Sequence, residues 1–575
     1  MTLKIKTALV LAALFSTLGA QTQIYRSMQV NKTTAIKVGT GINLAISGST
    51  ATFASAMPDS IGVGDAIQYD ATGLGAITNI CFIHGRTSST VFTVKTAAGG
   101  TPTATIADDQ DWSIFRAYTS LSNWESGTEN TGISVLVRNF DGGNRNIVTN
   151  NEYWNIACYR STDATQLGIA GWTTDATRRM RIYTPYATSE VGTTQRHLGV
   201  NSGVCFIYNN FISIDEGAPV NLNLDYEGIV FVVSATACQA VQYQQGTADA
   251  LGNVKDCVFV GRDGSGCGAR TQGIVLSTNY SGTVKISNCI FYNFDGSGAN
   301  TGAGRHEALL VDAGTAYVYN CTDYGSNYSY VRAGGTYVVK NSVSYLSDSD
   351  GFGGIFDAAS DYNLSDRAAD APGANSKNSA TVSFLNTGSL NFHLNSGDTG
   401  AGNSGTDLSG DANIPVTTDI DRDARPLTLV DMGADEGVAA PAEMDMGIAD
   451  GDATPSTSDS TDFGTVNLGQ TLSVTYTITN SGGTALTLSG TPKVAVSGTH
   501  SSDFTVTTQP SSPVSANGGT TTIVVKFTPS ATGVRSAALS IDNDDANENP
   551  YNFSIQGTGG NSAVSKRKYF LRRNQ

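Results

Sequence analysis

The sequence predicts an all-β chain: a right-handed parallel β-helix, preceded by a small β domain and followed by an immunoglobulin-like β-sandwich. Three observations carry this. Short apolar runs punctuated by Gly and Asn recur throughout, and amphipathic helical stretches are nearly absent after residue 20. A cysteine-bearing segment repeats at a fixed 32-residue step. Near the C-terminus, about seven short alternating runs fall within about 100 residues, the density of a sandwich.

A chain of 575 residues accommodates roughly three domains, or one long solenoid with accessories, and either buries a sizeable core. At the N-terminus, Lys4 and Lys6 precede an apolar run from Thr7 to Leu18. Gly19 and Ala20 then supply small residues for cleavage before Gln21, so residues 1–20 read as a signal peptide. The run is too short to favour a permanent membrane span, and no second stretch of spanning length follows. The mature chain is therefore expected to be secreted or at the cell surface, without a transmembrane span. The net charge of -16 argues against nucleic acid, which needs a basic face. It does not favour a polyanionic substrate either, unless local Arg residues or a bound cation invert the field.

Residues 24–118 read as a small β domain or helix cap. Ala66 to Tyr69 and Ser89 to Val94 alternate in strand fashion, and Gly99-Gly100 closes the second stretch. The β-helix is placed at 119–437 on the repeat. Val254-Lys-Asp-Cys-Val-Phe259 recurs as Ile286-Ser-Asn-Cys-Ile-Phe291, as Val318-Tyr-Asn-Cys-Thr-Asp323 and, more loosely, as Val339-Lys-Asn-Ser-Val-Ser344. Cys257, Cys289 and Cys321 keep the 32-residue step, as do Asp256, Asn288 and Asn320; Asn341 follows after 21. The loops repeat too, as Asp263-Gly-Ser-Gly266 and Asp295-Gly-Ser-Gly298. On successive coils each such residue recurs one strand spacing, about 4.8 Å, above the last. The cysteines then form a packing stack, since a disulfide pair would orphan the third, and the turn Asn residues form an amide ladder.

Asp419-Ile-Asp-Arg-Asp-Ala-Arg-Pro426, followed by Asp431-Met-Gly-Ala-Asp-Glu436, resembles the closing motif of bacterial choice-of-anchor Q proteins. That resemblance implies a right-handed β-helix related to pectate-lyase-like folds, export and a surface location, but no defined reaction. Residues 438–460 are small, polar and Pro-containing, which reads as a linker. Over 461–560, Asp462-Phe-Gly-Thr-Val466, Leu472 to Ile478, Ile523 to Pro529, Leu539 to Ile541 and Tyr551 to Gly559 form a spaced set of strand landmarks. These are similar to choice-of-anchor D modules, which are akin to ASH/HYDIN immunoglobulin-like domains. The tail, 561–575, is basic through Lys566-Arg-Lys and Arg572-Arg573 and has no hydrophobic anchor.

The repeat loops bring together Asp263, Arg270, Asp295, Arg305, His306, Glu307 and Asp312 as candidate catalytic residues. A lyase would need carboxylates to hold Ca²⁺ and a basic residue beside a uronate; an inverting hydrolase would need two spaced carboxylates. The bland alternative is ordinary turns, with Arg305 paired to Glu307 or Asp312. Asp419, Asp421 and Asp423 alternate like the start of a calcium loop, but no Gly and distal Glu follow at the required spacing, which favours a salt bridge from Arg425 to Asp431 or Glu436. Asp542 to Asp545 is expected to be a solvated hairpin turn. Tyr292, Tyr324, Tyr328 and Tyr330 are candidates either for stacking on sugar rings or for an aromatic ladder. These features point first to an exported surface protein whose β-helix binds a glycan or a surface partner, with the sandwich as spacer or attachment module. The alternatives are a polysaccharide lyase or glycoside hydrolase acting through loops 263–270 and 295–312, and a structural stalk. No cofactor is indicated beyond Ca²⁺ as an option.

Overall fold

The computed structural model describes residues 21–561, apart from 74, 106–109, 144, 166, 201–204, 209–211, 215–221, 234–238, 262–270, 296–305, 396, 428–429, 438–443, 481–483, 516–517 and 546–547; for 205–208 and 212–214 it describes the backbone alone. The signal-peptide reading and the basic tail beyond residue 561 therefore lie outside the described residues. The chain divides into two units, residues 1–437 and 438–575. It is nearly all β. Among the described residues, no helix is long and apolar enough to cross a membrane.

Three parallel sheets dominate the first unit, and the chain visits them in rotation. The first sheet runs Thr22–Met28, Glu152–Cys158, Met180–Tyr183, Leu224–Glu227, Leu251–Lys255, Thr283–Ser287, Thr315–Tyr319 and Thr336–Lys340. The second runs from Ser161–Asp163 through Val258–Val260, Ile290–Tyr292 and Thr322–Tyr324 to Leu364–Ser365. The third runs from Leu167–Ile169 through Gln272–Leu276 and Glu307–Val311 to Asp350–Gly353. Along the first-sheet strands burial alternates: in Leu251–Lys255, Gly252 and Val254 point to the core while Asn253 and Lys255 point out. This is the period-2 consequence of the pleat.

The 32-residue step aligns residues across strands. Val258 pairs with Ile290 and Ile290 with Thr322, so the cysteines just before them fall in a column. Cys257, Cys289 and Cys321 are all fully buried and free, as the packing reading expected. Asp256, Asn288, Asn320 and Asn341 turn the chain between sheets with φ of 50–52°. That left-handed conformation is one Asn and Asp tolerate better than other side chains with a Cβ. The amide ladder is only partial. Asn288 Nδ2 does reach Asp256 Oδ1 (3.1 Å), but Asn288 and Asn341 also donate to the Thr418 and Thr406 carbonyls, each at 2.7 Å. The turn amides thus tie down the closing segment as well as each other.

The boundary at residue 24 is corrected by the pairing of Thr22–Met28 in parallel with Glu152–Cys158, which places this strand at the edge of the first sheet. Ile24 and Met28 enter the main core there. The remainder, from Lys37 to Phe115, makes a separate seven-stranded sheet paired antiparallel throughout and filled by Ile46, Phe53, Ile67, Phe92 and Trp112. Tyr292 and Tyr330, candidates for sugar stacking, are instead buried at 1% and 0% exposure. Their apolar strand neighbours take both faces of each strand into packed layers, so the rings have no solvent side.

The second unit packs two four-stranded sheets. One orders Met444–Asp445, Leu472–Asn480, Gly519–Phe527 and Phe504–Thr508; the other orders Asp462–Asn467, Tyr551–Gly560, Gly533–Ile541 and Val494–Ser497. Ile478, Ile523, Phe527, Leu539 and Ile555 fill the space between them. The linker at 438–460 is corrected in part: Met444 pairs with Asn480 and is buried, as is Ile448. The alternation of Met444, Met446 and Ile448 with polar residues is a strand signal within an otherwise loop-like composition. The Asp542–Asp545 turn joins the two long antiparallel strands as expected, but Asp545 is buried and accepts from the Met444 N–H (2.8 Å).

Candidate functional site

Of the seven candidate catalytic residues, Asp263, Arg270 and Arg305 lie outside the described residues. Asp295 and Asp312 are partly buried, and the charge of Asp295 reaches His306. His306 is buried, with its Nδ1 2.8 Å from Thr271 Oγ1. Glu307 is fully buried and closes an amide–carboxylate ladder across three strands: Gln239 Nε2 donates to Gln272 Oε1 (2.7 Å), and Gln272 Nε2 to Glu307 Oε2 (2.8 Å). A carboxylate held in this way, away from solvent, organises the third sheet and does not present itself to a substrate.

A groove of about 350 Å³ lies on the outward face of the first sheet. The pleat builds it. Arg181 pairs with Asp225, Asp225 with Asn253, and Asn253 with Lys285, each one strand further along. A second outward row sets Glu227 beside Lys255 and Lys255 beside Ser287. Asp225 accepts from Asn253 Nδ2 (2.6 Å) and Tyr153 OH (3.1 Å) and is paired with Arg179. Glu227 is held by Arg181, Arg196 and Arg422. Burial works to raise its pKa, but those three guanidinium groups outweigh burial and keep the carboxyl below its ordinary range. Along the strand order, the next stretch of the face is covered by a strap. Leu408, Ile414 and Val416 pack on Tyr319 and Val338, and Asn413 to Pro415 form one wall of the groove. Lys285 Nζ donates to the Asn413 carbonyl and fastens that wall.

These groove residues were not singled out by sequence motifs, although a signal was present. Asn253, Lys285 and Tyr317 share the 32-residue step of the cysteines, four positions before each. Outward polar positions of a repeat form a row as surely as its core positions do.

The closing motif folds against the outer side of the second sheet, where Phe392, Ile420 and Ala434 pack on Val258, Ile290 and Tyr292. Of the two partners expected for Arg425, Glu436 is the one it meets, Nη1 to Oε2 at 2.8 Å, while Asp431 reaches it through its main-chain carbonyl. Gly433, at φ 105°, allows the chain to lie on Thr322; a Cβ there would stand 2.7 Å from Thr322 Oγ1. The calcium-like triplet does not converge. Asp419 accepts the N–H groups of Asp421, Asp423 and Glu436, Asp423 is exposed, and Asp421 turns to His393, its Oδ2 2.8 Å from Nε2.

Among the described residues, His393, Asp421 and Asp435 are the one set whose potential metal-ligating atoms lie within 4.8 Å of one another. Burial lowers the affinity of His393 for a proton, but Asp421, Asp435 and Asp419 outweigh it and raise its pKa to about 9. The imidazolium therefore supplies the positive charge this cluster needs. Burial, then Asp435, lifts Asp419 to about 7. Asp435 rises to about 6, again by burial first.

All three groups bind protons more tightly folded than unfolded, so the unfolded chain carries fewer protons and stability falls as pH rises. The His393 share is complete below about pH 6.5 and is lost as pH climbs through about 9, on the order of 2–3 kcal/mol. Urea unfolding followed by Trp fluorescence checks this, because Trp112, Trp124, Trp154 and Trp172, the four tryptophans of the chain, all lie in the first unit. The gap between the native chain and His393→Gln should be widest near pH 6 and close above pH 9. Parallel curves would show that folding leaves the proton affinity of His393 unchanged.

Residues 456–558 match the family model described as HYDIN/CFA65/VesB-like, Ig-like domain. No curated protein matches the chain. Among solved structures, a protein of unknown function from Porphyromonas gingivalis W83 is similar at 17% identity over 21% of this chain, with a TM-score of 0.16; the match spans about half, 48%, of that protein. The ASH/PapD-like domain 7 of human CEP192 is similar at 15% identity over 22% of this chain and 88% of that one, with a TM-score of 0.15. The second unit thus carries an Ig-like domain of the HYDIN/CFA65/VesB-like kind.

Proposed function

We propose that the chain is an exported, cell-surface or extracellular protein that binds a glycan in the groove on its first sheet, with the Ig-like domain as spacer or attachment module. On this reading the first unit is a right-handed parallel β-helix of choice-of-anchor Q type. The rotation of strands through three parallel sheets supports that, and parallel crossovers are overwhelmingly right-handed.

The observation that carries the binding reading is the groove itself. It has room for about one or two sugar rings, and Asp225 and Asn253 present hydrogen-bonding groups in strand register, with the Tyr153 hydroxyl bonded to Asp225 beside them. Sugars need such planar arrays of donors and acceptors, and a rigid sheet presents them with little ordering cost. Burial of the Glu307 carboxylate and its bond to Gln272 favour binding over catalysis at the loop site.

A glycan array probed with the purified full-length chain tests the reading. Binding to one glycan class is expected, weakened roughly fivefold to tenfold in Asn253→Ala, whose fold should be intact by circular dichroism. A folded chain that retains no glycan, or one whose binding is indifferent to Asn253→Ala, would sink the groove as the site.

A further inference from the structure

We propose that the groove is selective for an acidic sugar, and that Lys255 with Lys285 forms the seat for its anionic group, a carboxylate or a sulfate ester. The inference rests on the glycan reading above and narrows it to a ligand class. The chain as a whole carries a net charge of -16, so a cationic groove runs against its surroundings.

In and beside the groove, the six cations Arg179, Arg181, Arg196, Arg422, Lys255 and Lys285 outnumber the three carboxylates Asp225, Glu227 and Asp256. Asp225 is answered by Arg179, and Glu227 by Arg181, Arg196 and Arg422. The neighbouring Asp256 is buried and shares Arg196 and Arg422. Asp411, the remaining carboxylate near Lys285, is paired with Lys340 at 2.8 Å. Lys255, which lines the groove, makes no direct ion pair among the described residues, although its charge acts on the buried Asp256 beside it. Lys285 uses one N–H on the Asn413 carbonyl, which leaves two of its three donors.

Register places the two lysines diagonally on adjacent strands, since Lys255 sits opposite Ser287 and Lys285 opposite Asn253. With parallel strands about 4.8 Å apart and two residues spanning about 6.6 Å along them, diagonal neighbours on one face stand about 8 Å apart, within reach for two long lysine side chains to converge on one anion. A sugar carboxylate or sulfate held there gains charge-assisted hydrogen bonds, and Asn253 and Ser287 lie beside it for ring hydroxyls.

Binding of size-matched dextran, hyaluronan and dextran sulfate oligosaccharides to the full-length chain decides the matter. The probes are neutral, carboxylate-bearing and sulfate-bearing. At least one acidic probe should bind roughly tenfold tighter than dextran at about 50 mM salt, with the advantage shrinking severalfold at about 500 mM. Preference for hyaluronan alone assigns a carboxylate, for dextran sulfate alone a sulfate ester. Lys255→Gln should remove about tenfold of the acidic affinity, and Lys255→Arg should keep most of it, which separates charge from packing. If dextran binds as tightly as both acidic probes, or Lys255→Gln leaves the acidic affinity unchanged, the acidic-sugar proposal falls while glycan binding stands. If no glycan on the array and none of these probes binds, glycan binding itself falls.

Discussion

Phe259→Ala should lower the stability of the first unit by about 3–5 kcal/mol. Phe259 is fully buried between Phe231 and Phe291, with ring centroids 4.8 Å away on each side and planes within 10° of parallel. The spacing equals that of the strands beneath, so the three rings stack because Val230–Val232, Val258–Val260 and Ile290–Tyr292 are in register. Truncation removes the contacts of one ring with two others and leaves a void that a fixed ladder of backbone hydrogen bonds cannot collapse to fill. Phe259→Leu, which keeps part of the volume, should lose less than half as much. Urea midpoints followed by Trp fluorescence measure both. A loss below about 1 kcal/mol for the Ala variant would show that the stack is not a close-packed core.

Arg425→Met should be comparably costly, about 3–5 kcal/mol, because it strands a charge in place of breaking an exposed pair. Both side chains of the Arg425–Glu436 pair are under 5% exposed. The guanidinium also satisfies the carbonyls of Asp431 and Gly433. Burial already raises Glu436 to about 7 against the pull of Arg425. Without the arginine the carboxyl must take up a proton or stay buried as an anion. Its folded pKa lies above its unfolded value, so stability is lost as pH rises through it. The variant's deficit should therefore be larger at pH 8 than at pH 5, and Arg425→Met/Glu436→Gln should recover much of it. A deficit that does not change with pH, or a double variant no better than the single, would show that the buried charge is not the cause.

The fate of individual residues shows what a reader of the sequence can reach. Cys257, Cys289 and Cys321 announced their column because every member recurs at the same step, and a periodic signal is local to each repeat. The Arg425–Glu436 pair was within reach because the two residues lie 11 positions apart in a compact motif. The strand Thr22–Met28 was misassigned because its partner, Glu152–Cys158, is some 130 residues away and shares no repeat with it. His393, Asp421 and Asp435 were missed as a cluster for the same reason: nothing in a histidine on an ordinary strand indicates which carboxylates will meet it.

By itself the sequence determined an almost wholly β chain, the stacking of the cysteine-bearing segments and the Ig-like character of the C-terminal unit. These follow from alternation and spacing, which act between neighbours along the chain. The tertiary structure alone decided that the strap from Leu408 to Val416 lies across the first sheet, that Glu307 is buried in a ladder, and that Lys255 and Lys285 share a groove whose carboxylates are already answered. Which of several equally apolar or charged surfaces meet is set by packing and by the pairing of buried charges, and both depend on residues far apart in sequence.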